Sequence, residues 1–365
     1  MQKEERLASR HIVLLGVGHT NAHIVRQWGM HPIPDTDLTC ISDDSIAMYS
    51  GMLPAVLAGQ IPPDEMEIDL VRLAASVNAR LIVGKVTGID HEAQTLLFAD
   101  RPAMPFDVLS VGIGSVPTVA GIHVECDSLF KIKPMQTFLQ RLGAVVDHAL
   151  QRKLSESRSE TRQGFRESAE TTAEDLGDLR YERNSAETVR TLRIVIVGSG
   201  AAGTEIAFCL PAFLRSRTDT PFEIQIATRS NAILPGVTPG LRDRATAELK
   251  RRSVEVHTSA TITHIDEDAV TFASGRKISA DIVIWATGAS PPELLARLNL
   301  PLTDSGFLAT NANLLSTSNA PIFAVGDTGS ILSEKLPKAG VYAVRQGPVL
   351  WDNIKALLAA QPLSD

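Results

Sequence analysis

Two glycine-rich turns are the features of this 365-residue chain whose residue types and spacing most directly predict chemistry. One of them, Gly198-Ser199-Gly200-Ala201-Ala202-Gly203, follows a mostly apolar run at 193–197 and precedes a second apolar stretch. Gly198 permits a tight turn, Gly200 lets a pyrophosphate approach the backbone, and Gly203 allows a helix to pack closely on a strand. The helix that follows offers free N–H groups and the positive end of its dipole. This motif therefore predicts a dinucleotide-binding turn.

The other turn, Gly16-Val17-Gly18-His19-Thr20-Asn21, carries Asn21 where a third glycine is expected. Alone it is a weak signal, because a plain strand-to-helix turn has the same appearance. The apolar run before it and the predicted second strand at 38–41 favour the dinucleotide interpretation. That second strand should end in an acid that bonds a ribose hydroxyl. The chain has Ser42 followed by Asp43, so we expect the contact from one of these two residues.

The corresponding strand after the 198–203 turn ends differently. It is predicted at 223–227 and is followed by Thr228 and Arg229. An acid there would bond the 2′-hydroxyl of NADH, and none is present, whereas an arginine is suited to the 2′-phosphate of NADPH. An ordinary surface charge is an equally good interpretation of Arg229. The sequence leaves the choice between the two nucleotides open.

Two further strands end in glycine-rich segments at similar places after each turn. They lead into Gly112-Ile113-Gly114-Ser115 and into Ala286-Thr287-Gly288. The chain thus contains two similar units, and this repetition is the strongest sign of its organisation. Each unit also holds short strands typical of a β-meander, which in the first unit are predicted at 81–86, 88–90 and 95–98.

The apolar run 322–325 ends in Gly326-Asp327, and we expect Asp327 to close the first site. The first domain is then split into 1–118 and 290–365, and a second domain, 119–289, is inserted within it. Residues 135–148 have the apolar spacing of a helix. Residues 151–190 are rich in Ser, Thr, Glu and Arg and predict a flexible surface insertion.

Composition excludes several other classes. The net charge is −7 without a dense Lys/Arg block, which argues against a nucleic-acid partner. No apolar run approaches the roughly 20 residues that span a bilayer. The three cysteines, Cys40, Cys126 and Cys209, are far apart, so no CxxC pair is available, and sparse thiols suit a reducing cytoplasm. His19 and His23 have metal-ligand spacing but lack a third ligand, so no metal site is predicted.

Together these motifs resemble the pyridine nucleotide–disulfide oxidoreductase superfamily, flavoproteins with two dinucleotide-binding domains. The segments 49–54 and 338–347 are similar to type II NADH dehydrogenase-like proteins and to the flavoprotein domain that precedes selenide, water dikinase in some organisms. The resemblance implies an α/β fold of two nested Rossmann-like, three-layer domains with β-meanders. It implies FAD at the first turn, NADH or NADPH at the second, and a bond from Asp327 to the ribitol of FAD.

The resemblance also implies catalytic roles for two side chains. Glu205 matches a glutamate near the nicotinamide, and Gln346 matches a glutamine of the quinone site, while Tyr342 stands at the position of a second glutamine. We therefore expect an FAD-dependent NAD(P)H oxidoreductase that passes electrons to a small-molecule acceptor, which a quinone would satisfy. The expected location is the cytoplasm, and a homodimer is open. The cofactor-binding residues that we predict are Gly16, Gly18, Asn21, Ser42, Asp43, Gly114, Gly198, Gly200, Gly203, Thr228, Arg229, Gly288, Gly326 and Asp327.

Two alternatives remain from the sequence. A low-turnover, flavin-binding accessory or redox-sensing protein linked to selenium metabolism would also explain Asn21 and the missing acids. A sulfide:quinone-type oxidoreductase would need two cysteines near the flavin, and Cys126 is one candidate without an evident partner.

Overall fold

A computed structural model of the chain describes residues 9–117, 121–124, 129–170, 191–318 and 320–365, with the backbone only for 156–170. The chain divides into two compact units. We call one the discontinuous unit, which consists of Met1–Leu53, Pro62–Thr118 and Gly288–Asp365. The other, the inserted unit, consists of Pro54–Ile61 and Val119–Thr287.

The α-helices and short 3-10 helices carry these bounds. The α-helices are α1 (His19–Met30), α2 (Leu53–Leu57), α3 (Leu70–Ser76), α4 (Phe138–Glu170), α5 (Ala201–Arg215), α6 (Pro239–Arg251), α7 (Leu294–Arg297) and α8 (Gly340–Leu358). The 3-10 helices are Ser50–Met52, Pro63–Met66, Met135–Thr137 and Gly326–Thr328.

The strands are short and are numbered along the chain. They are β1 (Arg10–Leu15), β2 (Thr36–Ser42), β3 (Ile46–Met48), β4 (Glu67–Asp69), β5 (Arg80–Val83), β6 (Val86–Asp90), β7 (Thr95–Phe98), β8 (Met104–Pro105), β9 (Val108–Val111), β10 (Val116–Pro117), β11 (His123–Val124), β12 (Leu129–Lys131), β13 (Leu192–Val197), β14 (Phe222–Ala227), β15 (Glu255–His257), β16 (Ile262–Ile265), β17 (Ala269–Phe272), β18 (Lys277–Ser279), β19 (Ile282–Trp285), β20 (Ala289–Ser290), β21 (Leu308–Thr310), β22 (Ile322–Ala324) and β23 (Gly329–Ile331).

A five-stranded parallel sheet forms the centre of the discontinuous unit. Its strand order is β22-β9-β1-β2-β5. Because both faces of β1 are covered, its residues Ile12, Val13 and Leu14 are all fully buried. On one face, Trp28 of α1 and Trp351 of α8 join the core, and on the other the three-stranded antiparallel sheet β6-β7-β8 packs with α7. The result is three layers around one sheet.

The inserted unit repeats this plan with its own sequence. Its parallel sheet has the order β12-β19-β13-β14-β15, in which each strand corresponds in position to one of the first sheet. The antiparallel strands β16-β17-β18 share a core with this sheet through Val195, Trp285 and Phe272. The predicted α/β class with parallel Rossmann-type sheets is therefore confirmed.

Two sequence assignments need correction or extension. Of the run predicted as a meander strand at 81–86, residues 81–83 belong to β5, which pairs in parallel with β2 and so belongs to the main sheet, whereas Val86 begins β6 of the antiparallel sheet. The helix predicted at 135–148 begins at Phe138 and continues to Glu170, through half of the segment predicted as a flexible insertion. The remainder, 171–190, lies outside the described residues.

An ion-pair cluster stabilises α4 just beyond His148. Lys153 Nζ lies 2.8 Å and Arg152 3.6 Å from Oδ1 of Asp281, which is only 8% exposed. The other oxygen of Asp281 accepts a bond from the Arg193 amide at 2.7 Å. Both cations therefore hold this part of the helix to Asp281, just before β19, which the polar composition of the segment does not reveal.

Candidate functional site

The first glycine turn lies at the carboxyl end of β1, where ligands bind in open parallel sheets. Gly16 has φ +82, and a Cβ there would stand 2.5 Å from the carbonyl oxygen of Gly112 at the end of β9. No other residue fits this approach. Gly18 is the N-cap of α1 in extended conformation, and no side chain caps the helix. The first N–H groups of α1 are therefore available to an anion.

Asn21 is fully buried and acts on the shape of this turn. Its Nδ2 donates to the Gly16 carbonyl oxygen at 2.7 Å, and its Oδ1 accepts from the Ser110 hydroxyl at 2.6 Å. It thus ties the turn to β9. The sequence predicted Asn21 as a cofactor contact, and the structure places its side chain in the interior beneath the turn.

Asp327 lies in the 3-10 turn after β22, beside the exit from β9. Its Oδ2 accepts a bond from the Ser115 hydroxyl at 2.7 Å. The fully buried Thr328 accepts from the Gly114 amide at 2.9 Å. These two bonds hold the Gly-Asp turn against the exit. A Cβ on Gly114, whose φ is +76, would meet nothing within 4 Å, so this side of the exit is open.

Gln346 faces the same turn from α8. Its Oε1 accepts a hydrogen bond from the Gly326 amide at 2.6 Å. In α1, the Thr20 hydroxyl donates to the Ala343 carbonyl oxygen of α8 at 2.7 Å. The structure thus brings Gly16, Gly114, Asp327 and Gln346 together in one unit.

A cavity of about 550 Å³ opens beside Asp327. Phe307, Ile331 and Leu336 supply apolar walls, and Lys338 and Tyr342 also line it. Its walls mix apolar and polar groups, since Ser305, Glu334 and Lys335 also line it, and its volume lies within the range of small-molecule sites.

Lys338 is the half-buried cation of this cavity. Its Nζ lies 4.2 Å from the centre of the Phe307 ring and donates to the Gly329 carbonyl oxygen and to the Ser330 hydroxyl, the latter at 2.8 Å. Burial lowers the pKa of the ammonium group to about 8, and the charge of Asp327 opposes this shift. The group therefore loses its charge not far above neutral pH.

The end of β2 carries the predicted ribose contacts. Ser42 is half-buried and its hydroxyl accepts from the Asp44 amide at 3.4 Å. Asp43 is exposed, whereas Asp44 accepts from the Ile46 amide at 3.3 Å. Of the two acids, Asp44 is used within the turn and Asp43 points to solvent.

The second glycine turn repeats the first within the inserted unit. Gly198 has φ +109, and a Cβ there would be 2.4 Å from the carbonyl oxygen of Ala286, at the end of β19. A Cβ on Gly203 would clash with the Gly198 carbonyl oxygen at 2.0 Å. Gly200 and Gly288 face open space, and no side chain caps α5. The same uncapped helix start thus occurs twice.

Thr228 follows β14 and is buried beside this turn. Its hydroxyl lies 2.9 Å from that of Ser199, a residue of the glycine turn, and accepts from the Ser230 amide at 3.3 Å. Arg229 is exposed. The two neighbouring predicted residues therefore face different surroundings.

Glu205 lies on α5 four residues before Cys209. Its side chain is exposed, yet partial desolvation raises the pKa of its carboxyl group. The Cys209 thiol also has a raised pKa, from burial and from the charge of Glu205, and burial raises the pKa of Cys40 to about 12. Neither described cysteine is an activated thiolate. Cys126, the candidate for sulfide chemistry, lies outside the described residues.

His19 and His23 are parts of the α1–α8 region. The His19 ring lies 5.1 Å from the Tyr49 ring, and burial lowers the pKa of both imidazoles. Within the described ranges, no cluster of three or more His, Cys, Asp or Glu side chains is placed to hold a metal ion. No helix in the described part of the chain is long and apolar enough to cross a membrane.

Comparison with known proteins assigns the family. The model of the pyridine nucleotide-disulphide oxidoreductase family matches residues 10–347, so the chain belongs to that family. Demethylphylloquinone reductase NdbB from Synechocystis sp. is 26% identical over 348 residues, covering 92% of this chain and 75% of the relative. Type II NADH:quinone oxidoreductase NdhA from Mycobacterium tuberculosis is 25% identical over 336 residues, covering 86% and 64%.

The fold has solved counterparts. The water-forming NADH oxidase from Lactobacillus brevis superposes with a TM-score of 0.69 at 18% identity, covering 95% of this chain and 69% of that one. Family and relatives make the chain an FAD-dependent NAD(P)H dehydrogenase-like oxidoreductase. It spans about two thirds to three quarters of the lengths of these relatives.

Three contributors to the site were not predicted from the sequence. Ser115 and Thr328 follow recognised motifs directly, but only the pairing of β9 with β22 shows that they meet. The sequence places Lys338 at the start of the segment 338–347, which carries part of the resemblance, but does not reveal that its ammonium group lies in the cavity. Its position after Pro337, just before an uncapped helix, is the available signal.

Proposed function

We propose that the discontinuous unit binds FAD, that the inserted unit binds NADH or NADPH, and that the electrons pass to a quinone. The observation that supports this most strongly is the repeated cradle. In each unit a positive-φ glycine lies against the exit of a neighbouring strand, and an uncapped helix starts at the carboxyl edge of a parallel sheet. A pyrophosphate would satisfy the exposed helix N–H groups in both.

The residues of the discontinuous unit fit FAD. The start of α1 would hold the pyrophosphate, Ser42 or Asp43 the adenosine ribose, and Asp327 the ribitol. The Ser115 hydroxyl donates to Oδ2 of Asp327, which leaves Oδ1 to accept a hydrogen bond from a ligand hydroxyl. When bound, FAD supplies the redox chemistry, taking a hydride from the nicotinamide and giving two electrons to the acceptor.

Lys338 and α8 would provide positive charge beside the flavin. The start of α8 has no side-chain cap, and the ammonium group of Lys338 lies near Asp327 in the cavity. Positive charge at this place stabilises negative charge that develops during reduction. This is a role for the protein in setting the flavin's potential.

The quinone acceptor is supported by the names of the two relatives, a phylloquinone-type reductase and a quinone oxidoreductase, and by the apolar walls of the cavity. Gln346, predicted as catalytic, has its Oε1 bonded to Gly326, so we assign it the positioning of the Asp327 turn, with its amide nitrogen available to the acceptor. Glu205 is proposed to lie near the nicotinamide, where its raised pKa would let it hold a proton nearer neutral pH.

The test is flavin content together with quinone reduction. Purified protein reconstituted with FAD should retain it and reduce a quinone at the expense of NADH or NADPH, and Asp327→Ala should lose most of the bound FAD. Arg26→Ala, an exposed change on α1, is the control that should retain it. Protein that binds FAD but does not turn over with any quinone would favour the accessory role, and protein that binds no FAD would refute both.

A further inference from the structure

The residues after β14 lie at the position where dinucleotide folds distinguish the two nicotinamide nucleotides. β13 and β14 are parallel and in register from Leu192–Phe222 to Val197–Ala227, so the residues after Ala227 lie beside the glycine turn that follows Val197. In dinucleotide folds an acid at this place bonds the ribose 2′-hydroxyl of NADH, whereas an arginine accommodates the 2′-phosphate of NADPH. The structure shows what occupies each position.

Thr228 takes the first position and is used entirely within the protein. It is only 6% exposed. Its hydroxyl bonds the Ser199 hydroxyl and the Ser230 amide. Its own amide donates to the His257 carbonyl oxygen at 2.9 Å, and its carbonyl oxygen accepts from the Ala260 amide at 2.8 Å. Thr228 therefore shapes the turn and provides no carboxylate to a ribose.

Arg229 takes the next position and points outward. It is exposed, and in the described part of the chain no salt bridge or side-chain hydrogen bond engages its guanidinium group. Ser230 follows with a half-buried side chain. An unpaired guanidinium with no acid in the two positions before it is suited to a phosphate, because its planar N–H groups form paired, charge-assisted bonds to phosphate oxygens.

We propose that this chain prefers NADPH and that Arg229 is the specificity-determining residue, which binds the ribose 2′-phosphate. The inference rests on the proposed function, because it presumes that the inserted unit binds a nicotinamide nucleotide. It departs from the NADH in the name of the Mycobacterium relative. The competing interpretation is that Arg229 is an ordinary surface arginine. The two interpretations differ in whether Arg229 raises the affinity for a nucleotide that carries the 2′-phosphate over that for one without it.

Equilibrium binding of adenosine phosphates, which represent the adenosine half of each nucleotide, distinguishes the two interpretations of Arg229 without any turnover. Isothermal titration calorimetry of the full chain should give adenosine 2′,5′-bisphosphate an affinity roughly 10- to 100-fold higher than adenosine 5′-monophosphate, the gain typical of charge-assisted bonds to one phosphate. Arg229→Ala should remove this difference and leave the affinity for the monophosphate within about twofold. Arg229→Lys should retain part of the affinity difference between the two ligands, and a higher salt concentration should reduce this difference.

Arg251→Ala is the matched control, because Arg251 is an exposed arginine at the last residue of α6, far along the chain from the nucleotide turn. It removes the same charge and should leave both affinities unchanged. Equal affinities for the two ligands in the unaltered protein, or an equal loss of both in Arg229→Ala, would overturn the proposal.

Steady-state kinetics distinguish failure of the inference from failure of the function. A higher kcat/KM for NADPH than for NADH, reversed in Arg229→Ala, supports both. Turnover that favours NADH leaves the function standing and overturns the NADPH assignment. Binding of neither adenosine ligand at millimolar concentration overturns both.

Discussion

Asn21 stands where the first glycine turn would carry its third glycine, and its role is structural. In the inserted unit, Gly203 lets the helix approach the turn, whereas in the discontinuous unit Asn21 bridges the Gly16 carbonyl oxygen and the Ser110 hydroxyl. The same junction is therefore made once by close packing and once by a buried amide.

Restoring the motif should consequently damage the fold. Asn21→Gly leaves the Ser110 hydroxyl and the Gly16 carbonyl oxygen without their buried partner, and we expect a loss of about 2–4 kcal/mol in the free energy of unfolding. Denaturant unfolding measures it, and Arg26→Ala on the exposed side of α1 is the control. Unchanged stability in Asn21→Gly would show that the bridge is dispensable.

Lys338 makes a prediction about pH. Because its pKa is about 8, its charge is present below that value and is lost as pH rises through it. Quinone reduction should therefore fall across this range. Lys338→Arg should remain active to higher pH, since a guanidinium stays protonated. Lys338→Met should reduce quinone slowly, and its rate should not show the fall around pH 8. A pH profile of Lys338→Arg identical to that of the unaltered protein would mean that the titrating group lies elsewhere.

At the scale of elements, the exit of β9 and the turn after β22 act as one piece. The strands are neighbours in the sheet, and the bonds Gly114–Thr328 and Ser115–Asp327 continue their pairing past the last strand residues. The carboxylate of Asp327 is therefore held by the sheet itself rather than by a free loop.

Breaking this pairing should loosen the flavin more than the fold. Thr328→Val keeps the shape of the buried side chain and removes the acceptor of the Gly114 amide, at a cost of about 1 kcal/mol. FAD retention during dialysis should fall clearly. Thr317→Val is a comparison in the same unit, at a residue outside the turn. Equal retention of FAD in both variants would contradict a role for the Gly114–Thr328 bond in holding the flavin site.

His257 in the edge strand β15 makes the stability of the protein depend on pH. The guanidinium of Arg276 lies 3.0 Å from Nδ1 of His257, and because arginine only donates, Nδ1 accepts and Nε2 donates to Gln225. Burial lowers the pKa of His257 below its ordinary 6.5. A lowered pKa means that the unfolded state binds the proton first, so this group's stabilising contribution is present above pH 6.5 and is lost as pH falls through the folded-state value.

Unfolding of the protein monitored between neutral pH and pH about 5 should therefore show a decrease in stability that His257→Gln reduces. His148→Gln, a change at an exposed position on α4, should leave the decrease in place. A slope that is the same in all three proteins would contradict this account of β15.

At the scale of the whole molecule, the glycine spacing and apolar strands predicted the fold class and the family correctly. Local signals of this kind report a turn that only glycine can adopt, as at Gly16 and Gly198. They do not report partners distant in sequence, which is why the Ser115–Asp327 bond and the buried place of Asn21 were missed. The ion pairs that tie α4 to Asp281 also join residues more than a hundred positions apart, and the local sequence did not predict them.

The central claim is tested most directly by anaerobic titration of the FAD-reconstituted protein with NADPH and with NADH, followed by the flavin's visible absorbance. We predict that about one equivalent of NADPH bleaches the flavin, that NADH requires a higher concentration, and that added quinone restores the colour. A flavin that stays oxidised with an excess of both nucleotides would contradict the account.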